Sequence, residues 1–585
     1  MQILKLDITH RAAYPWQYVE GRGCTLRLRT TESINRISVW YGDPFWFSGL
    51  DKKPVLERLD MQQTQKILGD VLYSAVIPMR THKLHYYFEI FLANGERVFL
   101  SETGVTWPID DRRELRYFNV PYVHSQECAS APAWAKGFVW YQIFPDRFCD
   151  EQDNKKSSDF VPTRENFFGG TLDGITSKVP YLRELGVQGV YLNPIFGSES
   201  NHRYDTTSYD YIEPSLGNES SFKKLVDVLH KSDMKLMLDG VYNHCGWNNV
   251  FWQDVKRLGK KSRYYDWFLV YDEDSLQKAK LCELTSERMQ HDPPYESFAF
   301  AANMPKWNTE NEDVIDYLIS RAERWTKEYD VDAWRLDVPD EVSMQFLREF
   351  SKRMRALKPE IYIIGEIWQD ASPWLKERVF HGVMDYPLYY AIRDYAMLHN
   401  DTLDTFSARI QSWFESIPDD VHSRQWAFCS NHDIPRAFSL CGGKTEDYQL
   451  AYLLVALLGG GISIYYGDET AMEGGEDPDN RRAMQWDNLQ PDVFEFFQKL
   501  LSLKKTYLKS ARLVELRVKE YLYLRLESPK YDIIAMITDE GRSVRVPLQA
   551  SYALLLDARN GQGADGTVER FAVFCKKKTE ERNDT

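Results

Sequence analysis

Three acidic side chains lie at or just past the ends of short apolar runs. Asp337 lies in WRLDV, Glu366 in IYIIGEIW and Asp433 in WAFCSNHD, with helix-length segments between these runs. In a (β/α)8 barrel, acids at the carboxyl ends of different strands meet at one mouth. Two such carboxyl groups can cleave a glycosidic bond, one as nucleophile and one as acid. The pattern therefore predicts a glycosidase, although a single acid after a strand is more often a helix cap or part of a buried ion pair.

Polar residues near these acids favour the catalytic interpretation. Asp239 and His244 lie in KLMLDGVYNH, where another apolar run ends, and His432 lies in SNHD. Arg335 precedes Asp337 by two residues, so on a strand both side chains point to the same face. At that distance the guanidinium can keep the carboxylate ionised.

These segments resemble a known family. KLMLDGVYNH, WRLDV, GEIW and SNHD are similar, in this order, to the strand-end motifs of the alpha-amylase family of glycoside hydrolases. MPKWN resembles the MPKLN signature of its cyclomaltodextrinase, maltogenic amylase and neopullulanase subgroup, with Trp307 in place of Leu. The resemblance implies that Asp337 is the nucleophile, Glu366 the general acid and base, and Asp433 the stabiliser of the distorted sugar.

Other residues are expected to bind the substrate around these acids. A Tyr204 ring beneath the reacting sugar would stabilise a developing oxocarbenium ion. Trp368 is either a platform on the acceptor side or a core residue. Asp477 and Arg481 in DPDNRR resemble a family segment that grips more distant glucose units, with a surface ion pair as the alternative. The expected substrate-binding residues are His202, Tyr204, Asp239, His244, Arg335, Glu341, Trp368, His432, Asp477 and Arg481.

The chain departs from the family pattern next to the nucleophile. Ala333 replaces a usual Gly, and the chain reads Val-Pro-Asp-Glu at 338–341 where relatives usually have Val-Ala-Asn-Glu. Pro339 removes a backbone donor and stiffens the turn. We therefore expect a reshaped wall at Glu341, which lies near the leaving-group side in relatives.

No cofactor is expected to be required, and calcium is an open alternative. Relatives often bind calcium after the first strand, where this chain reads FCDEQDN, and in a Gly-Gly-Asp segment, here FFGGTLDG. Asp150 and Asp153 are suitable hard ligands, but Thr171 stands where a carboxylate is common. A zinc site is disfavoured because the pocket histidines lie on distant strand ends without an HExxH spacing.

Composition is typical of a soluble multidomain enzyme. The 585 residues are 43% hydrophobic and carry a formal charge of -15, which disfavours nucleic acid and anionic membranes as partners. No apolar run approaches the roughly 20 residues of a membrane span, and the first residues lack secretory-signal features. The eight scattered cysteines favour reduced thiols. These observations predict a cytoplasmic protein.

The patterning along the chain predicts several domains. Segments such as TLRLRT and RISVWYGD alternate at period two, which is typical of a β-sandwich. From FVWYQIF onward, strand and helix patterns alternate, and the third connection is too long for a structureless loop. The predicted fold is an α/β TIM barrel with an N-terminal β-sandwich domain at 1–122, a linker at 123–137, the catalytic barrel at 138–503 with an insertion at about 245–308, and a C-terminal β-sandwich domain at 504–585.

The predicted function is retaining hydrolysis of α-1,4 bonds, with α-1,6 bonds as an open extension, in cyclodextrins, pullulan and short starch chains, with some transglycosylation. A 4-α-glucanotransferase is the alternative enzyme. An inactive carbohydrate-binding or scaffold relative is disfavoured because all three acids are present. The resemblance implies a homodimer, because in this subgroup the N-terminal domain packs over the active-site mouth of a partner subunit. Phe45, Trp46 and Phe47 offer suitable surface, since they cannot all point into one sandwich core. A local aromatic cluster is the alternative there.

Overall fold

The structure is a computed structural model. It describes residues 3–49, 53–124, 131–150, 161–546, 551–558, 561 and 566–578. Asp153 and residues 125–130 of the expected linker lie outside these ranges. No helix within them is long and apolar enough to cross a membrane.

Eight parallel strands form a closed barrel, as predicted. Each strand pairs with the next in the chain, strand 8 pairs with strand 1, and a parallel bridge from Met384 to Trp426 joins strands 6 and 7. Parallel strands covered by helices are buried on both faces, which explains why their sequences are nearly continuous apolar runs. Barrel strands 1 to 8 are Val139–Ile143, Gly189–Leu192, Lys235–Gly240, Ala333–Leu336, Tyr362–Gly365, Gly382–Val383, Trp426–Ala427 and Gly461–Tyr465.

Amphipathic helices cover the barrel. The helix Glu219–Lys231 buries Phe222, Leu225 and Leu229 on one face, and Asn218 caps its N-terminus. The longer helices are Glu219–Lys231, Glu312–Tyr329, Met344–Leu357, Leu403–Ser416, Thr445–Leu458 and Pro491–Leu503. The shorter ones are Pro145–Phe148, Leu172–Ser177, Val179–Leu185, Ser372–Glu377, Tyr386–Ile392, Asp419–His422 and Ala437–Leu440.

The long connection after strand 3 folds into a small unit of its own. Trp307, which replaces Leu in the MPKWN segment, is buried in this unit with its ring 4.8 Å from that of Phe268. The larger indole therefore fills a core position. The helices of this insertion are Val250–Leu258, Glu273–Lys278 and Ser286–His291.

The N-terminal part is a β-sandwich whose two sheets bury a common core that includes Leu26, Val39 and Phe88. Its strands are Ile8–Thr9, Gln17–Glu20, Gly23–Thr30, Ile34–Gly42, Phe47–Ser48, Lys53–Pro54, Glu57–Asp60, Gln62–Ile67, Asp70–Pro78, Leu84–Leu92, Arg97–Ser101, Gly104–Thr106 and Phe118–Val120. The described C-terminal strands are Arg512–Val518, Leu522–Glu527, Tyr531–Ile537, Ser543–Arg545, Ala553–Asp557, Thr567–Glu569 and Phe571–Lys577.

One sheet runs through both terminal domains. Strand Gln62–Ile67 pairs in parallel with strand Arg512–Val518, so the N-terminal sheet continues into the C-terminal one. The buried Arg27 also donates to the carbonyl oxygens of Phe414 at 3.0 Å and Ile417 at 3.1 Å. These carbonyls lie at the end of a barrel helix, where they have no partners within the helix. The N-terminal domain is thus built into the rest of the fold.

Candidate active site

The three predicted acids meet at the carboxyl ends of the barrel strands. Asp337 directly follows strand 4, Glu366 directly follows strand 5, and Asp433 lies in the loop after strand 7. They line one cavity of about 730 Å³. The other predicted residues in its wall are His202, Tyr204, His244, Glu341, Trp368, His432, Asp477 and Arg481. Asp239 and Arg335 are not in the wall; both are buried behind the acids.

Arg335 is the common partner of three carboxylates. Its Nη1 lies 2.8 Å from Oδ1 of Asp337 and 2.8 Å from Oδ1 of Asp239. Its Nη2 lies 2.6 Å from Oε2 of Glu366. Burial by itself would lower the pKa of Arg335, but the charges of Asp239 and Glu366 raise it well above its usual value, so this side chain stays charged.

The same cluster favours a proton on its acids. Burial raises the pKa of Asp337 well above its usual value; Arg335 opposes the rise, and the charges of Glu366 and Asp239 add to it. If all three carboxyl groups were ionised, three negative charges would face the single positive charge of the guanidinium. This imbalance favours one proton remaining on the group of acids. The site can therefore hold an ionised carboxylate and a protonated carboxyl group side by side.

Both oxygens of Glu366 have donors. The indole Nε1 of Trp368 donates to Oε1 at 3.0 Å, and the backbone N–H of Val338 donates to Oε2 at 3.3 Å. Trp368 is 38% exposed and its ring stacks on Tyr386 at 4.2 Å. The structure therefore places Trp368 in the cavity wall rather than in the core.

The turn after Asp337 is strained, and Pro339 restricts its backbone. Val338 has a φ of 42°, which is rare for a β-branched residue, and Pro339–Glu341 form a 3-10 turn. Glu341 accepts from Lys306 at 3.1 Å and from Asn243 at 3.3 Å, which anchors this wall to strand 3 and the insertion.

Asp340 is a cavity residue that was not predicted as part of the site. It lines the cavity and accepts a hydrogen bond from Gln369 at 3.3 Å. Burial raises its pKa, and the nearby charges of Glu341 and Glu366 act in the same direction. The one feature that marked this position in the sequence is that Asp340 stands where relatives usually have Asn.

Three neutral histidines surround the acids. Burial lowers the pKa of His202 and of His244 to about 3, and the pKa of His432 falls well below its usual value for the same reason. Tyr204 stacks on His432 with the ring centroids 5.2 Å apart. His244 stacks on Phe298 at 4.7 Å. Neutral rings of this kind suit hydrogen bonding to sugar hydroxyls.

Asp433 is half-buried and has few donors. Its Oδ1 lies 3.4 Å from Nη2 of Arg481, and its Oδ2 lies 3.1 Å from Nε2 of His432. Burial and then the charge of Glu366 raise its pKa to about 7. Arg481 also pairs with Asp477 at 2.9 Å. The ion pair of the alternative is therefore present, but it lies in the cavity wall, and Arg481 is buried and also reaches a predicted catalytic acid.

The residues near the expected calcium site have other partners. The Thr171 hydroxyl accepts from the backbone N–H of Gly174 at 2.9 Å and caps the helix Leu172–Ser177. Asp150 is at the edge of the described chain, and Asp153 is outside it. Within the described ranges, the one group of three residues spaced to share an ion is His399, Asp447 and Glu540, which does not include Asp150. Calcium at Asp150 and Asp153 therefore stays a prediction.

Several cavity residues lie in segments whose path the sequence does not reveal. Phe298 and Met304 come from the insertion, and Arg164 and Asn201 come from the loops after strands 1 and 2. Met304 belongs to the MPKWN segment, which was a family signal but not a contact prediction. For the other three no motif or periodicity pointed to the cavity.

The fold and the site are those of a known family. The family described as "Alpha amylase, catalytic domain" matches residues 142–524, and "Alpha amylase, N-terminal ig-like domain" matches residues 1–124. The chain belongs to the alpha-amylase family of glycoside hydrolases, as predicted.

Similar proteins agree with the predicted subgroup. A cyclomaltodextrinase from Geobacillus thermopakistaniensis is 34% identical over 97% of each chain. A maltogenic alpha-amylase from Bacillus acidopullulyticus is 36% identical over 85% of this chain and 84% of its own. A solved cyclomaltodextrinase structure, 28% identical, covers 98% of this chain and 99% of its own with a TM-score of 0.83.

Proposed function

We propose that the protein is a retaining α-glucan hydrolase with Asp337 as nucleophile and Glu366 as general acid and base. The guanidinium of Arg335 carries this proposal. It lies 2.8 Å from Asp337 and 2.6 Å from Glu366, and so holds the two acids side by side. Retaining glycosidases need acids about 5 to 5.5 Å apart, whereas inverting enzymes need about 6.5 to 9.5 Å to admit a water.

The proposed reaction has two steps. Glu366 transfers its proton to the glycosidic oxygen while a carboxylate oxygen of Asp337 attacks C1, which breaks the C1–O bond and forms a glycosyl ester. Glu366, now ionised, then takes a proton from water as the water oxygen attacks C1 and releases Asp337. Asp433 accepts hydrogen bonds from the hydroxyls of the distorted sugar, and Arg335 balances the charge of the acids in both steps.

The proposed substrates are cyclodextrins, pullulan and short starch chains. The names of the relatives support this class. A neutral glucan also suits a cavity whose histidines are neutral and in which Arg481 is already paired with acids. Tyr204, Phe298 and Trp368 supply aromatic surface on which sugar rings can stack.

Some transfer to sugar acceptors belongs to the proposal, because any hydroxyl that reaches the ester can replace water. A 4-α-glucanotransferase differs only in that preference. Product analysis with and without added glucose separates the two: the hydrolase forms reducing ends without an acceptor, and a transferase needs the acceptor for turnover.

The proposed setting is the cytoplasm, and the proposed state is a homodimer. The described cysteines form no disulfide, which is the usual condition in a reducing compartment. Phe45, Trp46 and Phe47 are 72%, 50% and 47% exposed on the N-terminal domain. Three exposed aromatic residues in a row form the kind of apolar patch that a second subunit would cover.

The anomeric form of the first product tests the proposed mechanism. Two inversions at C1 give the α-anomer, which mutarotates only later. Proton NMR during the first minutes of maltose release should show the α-anomer in excess. An initial excess of the β-anomer would exclude the double displacement.

A further inference from the structure

Gln142 lies on barrel strand 1, behind the wall of the active-site cavity. It is buried and does not line the cavity. Its Nε2 lies 2.8 Å from Nδ1 of His432 and 3.1 Å from Oδ1 of Asn193. Its amide thus reaches a histidine of the cavity wall from behind that wall.

Four side chains form a closed ring of hydrogen bonds. Gln142 contacts His432 and Asn193, and Nδ2 of Asn193 donates to the hydroxyl oxygen of Tyr204 at 2.8 Å. Nε2 of His432 lies 2.5 Å from the same Tyr204 oxygen and closes the ring. A ring of this kind allows only certain positions for its hydrogen atoms.

Asp239 determines the direction of these bonds. Arg335 contacts both oxygens of Asp239, so this carboxylate stays an acceptor although burial raises its pKa. The single hydroxyl hydrogen of Tyr204 is donated to Asp239 at 2.8 Å. The Tyr204 oxygen must then accept from His432, which places the hydrogen of His432 on Nε2.

Gln142 completes this assignment. The Oδ1 of Asn193 can only accept, so the group of Gln142 that faces it is the NH2 group. The same NH2 group also donates to the unprotonated Nδ1 of His432. Burial lowers the pKa of His432 well below its usual value, so the ring is neutral and carries only one of the two possible hydrogens. With the hydrogen on Nε2, the ring faces the Tyr204 oxygen at 2.5 Å and Oδ2 of Asp433 at 3.1 Å with one donor that the two acceptors share.

We propose that Gln142 is a positioning residue that favours the Nε2–H tautomer of His432, so that the ring turns its one hydrogen, and not a lone pair, toward Tyr204 and Asp433. The alternative tautomer would turn a lone pair toward the Asp433 carboxylate, which repels it. The proposal deepens the proposed function, because it assumes that His432 and Asp433 serve glucan hydrolysis. Gln142 itself was not among the predicted site residues.

The experiment uses the full chain with 15N-labelled histidine. A His432→Gln variant identifies the His432 signals by their loss. In the wild type, Nδ1 of His432 should be the unprotonated, pyridine-type nitrogen and Nε2 the protonated one.

Gln142→Glu keeps the size of the side chain but offers an acceptor to Nδ1, so the hydrogen should move there. Its kcat on β-cyclodextrin should fall roughly 10- to 100-fold with little change in KM, the range typical when a partner that orients a histidine is lost.

Gln142→Met is the matched variant, because it removes the donor without adding an acceptor. Tyr204 still favours the Nε2 hydrogen in this variant, but without the donor to Nδ1 a measurable share of the Nδ1–H tautomer should appear. Its kcat should fall less than that of Gln142→Glu. A protonated Nδ1 in the wild type would overturn the proposal. The proposal would also be overturned if Gln142→Glu changed the tautomer without lowering kcat, or lowered kcat without changing the tautomer. If Gln142→Glu does not fold, Gln142→Met still decides, because an unchanged tautomer ratio in that variant would show that Tyr204 alone holds the hydrogen and would overturn the proposal. A wild type with the expected tautomer but no glucan turnover would count against the proposed function instead.

Discussion

The indole N–H of Trp368 donates to Oε1 of Glu366 at 3.0 Å. The same ring stacks on Tyr386, so the orientation of this donor is fixed by packing. Trp368 thus links the proposed general acid to an aromatic surface on which a departing sugar can lie.

Replacing Trp368 should separate these two contributions. Trp368→Phe keeps the stacked ring and loses the donor, so kcat should fall about 5- to 10-fold, the equivalent of about 1 kcal/mol for one hydrogen bond. Trp368→Ala also loses the ring and should raise KM for maltoheptaose more than for maltotriose. Steady-state rates on both substrates test this. Equal kcat in Trp368→Phe and the wild type would show that the hydrogen bond has no role.

The half-buried Asp433 should weaken the fold at alkaline pH. Its folded pKa of about 7 is raised above the ordinary value of 3.8, so stability is gained on protonation and is lost as the pH rises through 7. An asparagine at this position cannot ionise. At pH 8, Asp433→Asn should therefore unfold at a higher temperature than the wild type, with a gain of at most about 4 kcal/mol in the free energy of unfolding. Near pH 4 the two proteins should unfold at similar temperatures.

Asp332 provides the matched control for this prediction. Burial alone would raise its pKa, but the hydrogen bond from His230 and the charge of Lys358 bring it well below the usual value. Asp332→Asn should therefore destabilise the protein at pH 8. Thermal unfolding of both variants at the two pH values measures the effect. An Asp433→Asn protein less stable than the wild type at pH 8 would refute the assignment.

The aromatic run at residues 45–47 should control the oligomeric state. Trp46→Glu places a charge in the proposed interface and should give a monomer in light scattering, with a lower ratio of the β-cyclodextrin rate to the starch rate. Val76→Glu, at another exposed apolar position of the same domain, should leave both unchanged. A monomeric wild type that still prefers cyclodextrin would contradict the proposal. Deletion of the domain is a poorer test, because it removes Arg27 from the helix end it caps.

The barrel and the acids could be predicted because their signals are local. Each strand is a short apolar run, and Asp337 and Glu366 follow their strands directly, so the barrel geometry alone brings them together. The pairing of Arg335 with Asp337 followed from their spacing of two residues. The stacking of Phe298 on His244 could not be predicted, because it depends on how a long insertion folds back. The sheet that joins strand Gln62–Ile67 to strand Arg512–Val518 connects segments that no local pattern relates.

Turnover should not require calcium. The Thr171 hydroxyl, which stands where relatives often have a carboxylate, is used in a helix cap. Dialysis against EDTA should change the initial rate on β-cyclodextrin less than twofold, and Asp150→Asn should behave like the wild type. If EDTA lowered the rate strongly and added calcium restored it in the wild type, and Asp150→Asn did not respond to calcium in this way, the metal site would be established instead.

Identification of the covalently labelled residue tests the proposed mechanism most directly. In Glu366→Gln, α-maltosyl fluoride needs no acid to leave, but no base remains to release the ester, so the intermediate should accumulate. Peptide mass spectrometry should then find one maltosyl group on Asp337, and Asp337→Asn should carry none. A label on another residue, or none in Glu366→Gln while fluoride is still released, would contradict the assignment of Asp337 as the nucleophile.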